Sequence, residues 1–108
     1  MEKLFVYGTL APGKPNEHLL KNIGGSWKKG YVWGKLFEEG WGSDMGFPGI
    51  RIDNQAEKIQ GHVFCSDKLA EHWNTLDNFE GTAYQRIKTE IILEGEKETV
   101  EAFIYALK

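Results

Sequence analysis

The residues of this chain best suited to chemistry lie in two short stretches. In the first, LFVYGTLAPGKP, Gly8-x-x-x-x-Gly13-Lys14 reproduces the spacing of a phosphate-cradling loop, where backbone N–H groups and a lysine hold an anion. Such a loop needs Ser or Thr after the lysine, to ligate Mg²⁺ and to open a helix toward the phosphate. Pro15 stands there instead and offers neither hydroxyl nor N–H. A nucleotide-hydrolysing domain also needs repeated βαβ units, commonly over ~150 residues or more, and the chain has 108. What survives is a buried strand ending in a glycine turn, whose backbone N–H groups can hold an anion. There Gly8 is expected to serve close backbone approach or a positive φ.

In the second stretch, LDNFEGTAYQR, Glu80 falls in the last turn of an expected helix, directly before Gly81, the usual terminator. A helix C-terminus carries about half a negative charge and disfavours an anion by ~0.3–1 kcal/mol. Asp77, three residues earlier, has the same sign. Both effects raise the Glu80 pKa, and desolvation by Leu76, Phe79 and Tyr84 would raise it further. A carboxyl moved toward neutrality is what a proton shuttle needs. The alternative is a Glu80 that points into water at a small cost.

The remaining candidates for chemistry are weaker. Cys65, the single cysteine, has no spaced histidine partner and reads as a small buried hydrophobe within GHVFCSD. His18, His62 and His72 form no H-x-x-x-H pair, no C-x-x-C occurs, and each histidine reads as an ordinary surface or core residue, so no metal is expected. Ser43 lies in GWGSDMG, outside any G-x-S-x-G elbow. A net charge of −3 without a basic stripe argues against nucleic acid as a partner. No run approaches the ~20 apolar residues of a membrane span, MEKLF lacks a secretory h-region, and one cysteine excludes an internal disulfide. Cytoplasmic residence is the resulting expectation, with no obligate protein partner evident. The hydrophobic content of 41% marks a globular chain, expected as a single domain over residues 1–108.

The elements that must position these residues follow from pattern. Leu4–Tyr7 is short and continuously apolar, as in a strand buried on both faces. Pro15 suits the first position of a short helix through His18, Leu19 and Leu20, ended by Gly24-Gly25. KGYVWGKLFEE reads as a second strand, and a glycine-rich, irregular segment, Gly40–Gly49, covers one end of the domain. KIQGHVFCS reads as another strand. Ser66 or Asp67 is expected to cap a helix bearing Leu69, Trp73 and Leu76 on one face. YQRIKTEIIL and ETVEAFIYAL, joined by EGEKE, predict a hairpin. The order indicates an α+β fold with a mixed, mostly antiparallel and curled sheet.

Taken together, FVYGTLAPGKPNEHLL and LDNFEGTAYQR resemble the gamma-glutamylcyclotransferase-like superfamily, which includes AIG2-like and gamma-glutamylamine cyclotransferase proteins. The Y-G-S/T-L mark is met by Tyr7, Gly8, Thr9 and Leu10, and the L-D-x-x-E-G mark before a tyrosine by Leu76, Asp77, Glu80, Gly81 and Tyr84. The resemblance covers the whole chain in order. It implies a small β-barrel flanked by short helices, with a cavity at one end. It also implies a lactam-forming enzyme of transferase or lyase type that needs no cofactor and converts a small gamma-glutamyl compound to 5-oxoproline and a free amine. Tyr7, Gly8, Thr9 and Leu10 would hold the α-carboxylate and amine end through backbone atoms, Glu80 would be the acid/base carboxylate, and Tyr84 would line the cavity. AYQR looks closer to the gamma-glutamylamine branch, which puts Arg86 at the cavity rim or in structural support. A non-catalytic small-molecule binder on the same fold is the alternative.

Overall fold

The computed structural model describes residues 2–38, 49–53, 55–95 and 98–108. The elements run β1 (Glu2–Val6), α1 (Glu17–Ile23), β2 (Ser26–Phe37), β3 (Gly49–Ile52), β4 (Glu57–Ser66), a 3₁₀ turn (Leu69–His72), α2 (Trp73–Glu80), β5 (Tyr84–Leu93) and β6 (Thr99–Leu107). The strand order is β3-β2-β4-β1-β6-β5, and a further pairing of β2 with β5 closes the last five strands into a barrel, leaving β3 as an extra strand on β2. Closure leaves those five strands without an open edge. All pairs are antiparallel except β1 with β6, which run parallel through Leu4 opposite Phe103 and Phe5 opposite Ile104. The α+β barrel flanked by short helices that the sequence led us to expect is the fold observed.

Side-chain alternation along the strands builds two layers of core. Phe5, Val32, Ile50, Ile59, Val63, Ile91, Ala102 and Ile104 point inward and fill the barrel. Leu4, Val6, Phe64, Tyr105 and Leu107 point outward and pack under the helices against Leu20, Ile23 and Leu76. Strand β1 therefore buries both faces, with Leu4, Phe5 and Val6 almost fully enclosed. Each such large side chain stabilises the fold by about 1.5–3 kcal/mol. Cys65 is half-buried against the barrel core.

Three elements differ from the sequence-based expectation. Helix α1 starts at Glu17 instead of Pro15, because Pro15 and Asn16 belong to a run of turns in which the Asn16 N–H meets the Thr9 carbonyl at 2.8 Å and the Glu17 N–H the Lys14 carbonyl at 3.1 Å. The helix expected from Ser66 or Asp67 begins with the 3₁₀ turn, and its α-helical part starts only at Trp73. The Ser66 hydroxyl donates to the Gly24 carbonyl at 2.6 Å and accepts the Lys68 N–H at 3.1 Å, so it closes a local turn and ties down the end of α1. Strand β3 was not anticipated: it begins at Gly49, while residues 40–48 of the expected Gly40–Gly49 segment, Ser43 among them, lie outside the described residues. Among the described residues, no helix is long and apolar enough to cross a membrane.

Candidate active site

The apolar run of β1 ends at Val6, and the chain turns out of the sheet at Tyr7 and Gly8. The loop beyond is a chain of tight turns: the Ala11 N–H donates to the Gly8 carbonyl at 3.1 Å and the Lys14 N–H to the Ala11 carbonyl at 3.1 Å. Thr9, Leu10 and Ala11 are buried, and Leu10 and Ala11 seat the loop against the core under α1. No backbone carbonyl of the described residues accepts from the N–H of Gly8, Thr9 or Leu10. Successive backbone N–H groups at a strand end of this kind suit an anion. The positive φ in this loop belongs to Gly13 at 78°; Gly8 is outside the left-handed region, so of the two reasons expected for a glycine there, only close approach remains.

The Tyr7 side chain lies half-buried at the end of the barrel and stacks on Phe5. Its hydroxyl donates to the Tyr105 carbonyl at 2.7 Å and accepts the Ile50 N–H at 3.0 Å. Tyr7 thus braces β1 against both β6 and β3. Burial raises its pKa far above the ordinary tyrosine value; the Ile50 N–H opposes this, and the charges of Glu80 and Tyr84 add to it. Tyr7 and Glu80, 73 positions apart in sequence, therefore share one electrostatic neighbourhood.

Glu80 is the last residue of α2, whose end is set by Gly81 at φ 83° with its N–H on the Asp77 carbonyl at 3.0 Å. Burial pushes the Glu80 carboxyl up to about 7. The direction is the one expected from sequence, but the cause differs: desolvation governs the shift, and Asp77 does not act as a bare neighbouring anion. Asp77 accepts from Arg86 Nε at 2.9 Å, from a terminal Arg86 nitrogen at 3.3 Å and from the Tyr105 hydroxyl at 2.6 Å. Burial alone would raise the Asp77 carboxyl; these hydrogen bonds and the guanidinium charge outweigh it and hold the carboxyl below its ordinary value. Tyr105 is driven above its normal range by burial, by its bond to Asp77 and by the charges of Asp77 and Glu80, with Arg86 opposing.

Tyr84 opens β5 opposite Leu107, with 9% of its surface exposed, and packs with Tyr105 in the layer under the helices. Of the residues singled out from sequence, Tyr7, Glu80 and Tyr84 converge, and Gly8, Thr9 and Leu10 continue directly from Tyr7. Arg86 is held by Asp77 and lines a cavity with Tyr84, Asp77 and Tyr105. Tyr105 and Ile50 were missed. The signal for Tyr105 was a lone hydroxyl within the apolar FIYAL run, which in a buried strand calls for a partner.

The arrangement brings together a glycine turn at a strand end, a half-buried carboxyl lifted to about 7, and Tyr7 and Tyr105, which both feel its charge. Residues of this kind suit proton transfer to and from a bound amine. Among solved structures, YkqA of Bacillus subtilis superposes with a TM-score of 0.72 at 29% identity over 99% of this chain; the present chain spans only 36% of that one. An AIG2-like protein of Mus musculus superposes with a TM-score of 0.71 at 23% identity, covering 98% of this chain and 76% of that one. A protein of Arabidopsis thaliana follows at 0.70 and 19%, with 98% and 61% covered. No curated protein sequence gives a significant match. The model of one family spans the strand, the glycine turn, α2 and the hairpin together, matching residues 4–108, and the chain belongs to that family, gamma-glutamyl cyclotransferase, AIG2-like.

Proposed function

We propose that this chain is a gamma-glutamyl cyclotransferase-type enzyme, acting as one domain, that converts a gamma-glutamyl amine or gamma-glutamyl amino compound to 5-oxoproline and a free amine. The observation that carries this reading is the half-buried Glu80 carboxyl, whose charge is felt at Tyr7 and which is lifted to about 7.

The reaction is an intramolecular aminolysis. The substrate's α-nitrogen forms a bond to its own γ-carbonyl carbon, the bond from that carbon to the leaving nitrogen breaks, and a five-membered lactam results. The nucleophile is tethered, so the protein's task is to fold the glutamyl chain into the attacking conformer. The N–H groups of Gly8, Thr9 and Leu10 hold the α-carboxylate and fix that end, while Tyr84 walls the cavity. A peptide α-amine has a pKa near 7.7–8.0 and is largely protonated at neutral pH. Two protons leave the α-nitrogen in turn, one from the ammonium before attack and one from the adduct as the lactam forms; Glu80 carries each to the leaving nitrogen, which departs as an ammonium, so no proton is gained or lost overall. A carrier poised near the working pH contributes about 10²- to 10⁴-fold.

The test is a panel of gamma-glutamyl amines, gamma-glutamyl-lysine, gamma-glutamyl amino acids and glutathione, offered without added metal and read for 5-oxoproline by mass spectrometry. Release from at least one member is the expected result. No lactam from any member, with the fold intact and 5-oxoproline still bound, would favour a non-catalytic binder.

A further inference from the structure

We propose that Arg86 is a positioning residue for the Glu80 carboxyl, holding Asp77, one turn earlier on α2, and clamping the end of that helix onto β5 and β6. The inference rests on the assignment of Glu80 as the proton carrier.

Arg86 projects from β5 and meets the helix at two points one turn apart. Its guanidinium forks onto Asp77, at 2.9 Å from Nε and 3.3 Å from a terminal nitrogen. The same planar group lies 4.3 Å from the ring centre of Trp73, the first residue of α2, and 4.9 Å from that of Phe103 on β6. Those two rings meet edge to face at 5.0 Å. Tyr105, also on β6, supplies a third hydrogen bond to Asp77 at 2.6 Å. The Asp77 carbonyl in turn takes the Gly81 N–H that ends the helix. Glu80 lies between Asp77 and Gly81, and its charge is felt at Tyr7.

The clamp also sets the charge around Glu80. Among the described residues, the titratable and charged groups sharing its neighbourhood are Tyr7 just past β1, Tyr84 and Arg86 of β5, Tyr105 of β6, and Asp77 of its own helix. The tyrosines are neutral at working pH, and Arg86 cancels Asp77. Without the guanidinium, a carboxylate three residues from Glu80 on a helix would repel its ionised form and delay its deprotonation. Lysine replaces the charge but reproduces neither the fork nor the stacking between two rings.

The experiment compares Arg86→Gln, Arg86→Lys and the double variant Asp77→Asn/Arg86→Gln by kcat, KM, the pH profile of kcat/KM and ¹³C NMR titration of the Glu80 carboxyl. In Arg86→Gln, kcat is expected to fall about tenfold or more with KM within about threefold, because a displaced carrier harms the chemical step more than ground-state binding. The acid limb should move to higher pH by a few tenths of a unit or more. The double variant should return the limb to its wild-type position while kcat stays low, and Arg86→Lys should keep the limb and recover only part of kcat. Full turnover with an unmoved limb in Arg86→Gln overturns the proposal. So does a loss that tracks the unfolded fraction alone while folded protein titrates as wild type. If wild-type protein releases no 5-oxoproline from any substrate, the functional reading fails and the NMR titration decides this inference by itself. A Glu80 that titrates higher in Arg86→Gln and reverts in the double variant upholds it, and an unmoved Glu80 sinks it.

Discussion

The hydroxyl of Tyr105 donates to Asp77 Oδ1 at 2.6 Å, while the carbonyl of the same residue accepts the Tyr7 hydroxyl at 2.7 Å. One residue of β6 thus connects the helix that carries Glu80 to the strand that feeds the glycine turn. The two stretches most suggestive in the sequence meet through a third, ETVEAFIYAL, whose pattern marked only a hairpin strand.

Replacing Glu80 by Gln should separate chemistry from binding. The amide keeps the size of the side chain but cannot carry a proton between two nitrogens, so kcat should drop by ~10² or more while affinity for 5-oxoproline changes little. Calorimetric titration with 5-oxoproline beside a turnover assay reads both. Undiminished turnover would remove Glu80 from the mechanism.

The same variant carries a stability prediction of definite sign. Native Glu80 holds its proton up to about pH 7, against an ordinary value of 4.5. Folding therefore favours the protonated form, and the benefit present at low pH is lost as pH rises through about 7. Glu80→Gln should then be close to neutral near pH 4 and stabilising near pH 8, by on the order of 1–3 kcal/mol. Denaturant melts at the two pH values test this, and an equal effect at both would mean the carboxyl does not titrate in a buried state.

At the glycine turn, Gly8→Val places a branched side chain where a bound carboxylate must approach the backbone. Since Gly8 lies outside the left-handed region, folding cost should be modest. Affinity for 5-oxoproline should fall by about tenfold or more, in line with loss of one or more charge-assisted hydrogen bonds. Unchanged affinity would contradict the role given to the turn.

Gly61 is required by the barrel itself. A Cβ there would run into the Val6 carbonyl and lie 2.6 Å from the Phe5 ring, both on the neighbouring strand. Gly61→Ala should cost about 1–3 kcal/mol by overpacking, seen as a lower denaturation midpoint. A neutral result would show that β1 and β4 can part locally without penalty.

Ser66→Ala removes a buried hydroxyl that donates to the Gly24 carbonyl and accepts the Lys68 N–H. Two partners lose their bond in a region with little access to water, so a loss of about 1–3 kcal/mol is expected. Protection of the Lys68 amide against hydrogen exchange should fall in parallel.

Much of this layout was legible because it is local. The continuous apolar run Leu4–Tyr7 marked a strand buried on both faces, Gly81 marked the end of α2, and alternation on either side of EGEKE marked the hairpin. Strand β3 was not legible, since four residues, GIRI, beside a glycine-rich segment carry no period of their own and gain their strand character from pairing with β2. The Asp77–Arg86 pair escaped for a related reason. Sequence alone placed Asp77 beside Glu80 as a repelling charge, and only the turn from α2 into β5 brings the cation that neutralises it.

The parallel pairing of β1 with β6 has a consequence for how the chain acquires its site. Residues 4 and 103 are partners, so the barrel cannot close until residue 103 has left the ribosome. Contacts this distant in sequence make for slow, late closure. Tyr7 reaches the Tyr105 carbonyl only in the closed barrel, and any nascent intermediate therefore lacks that brace.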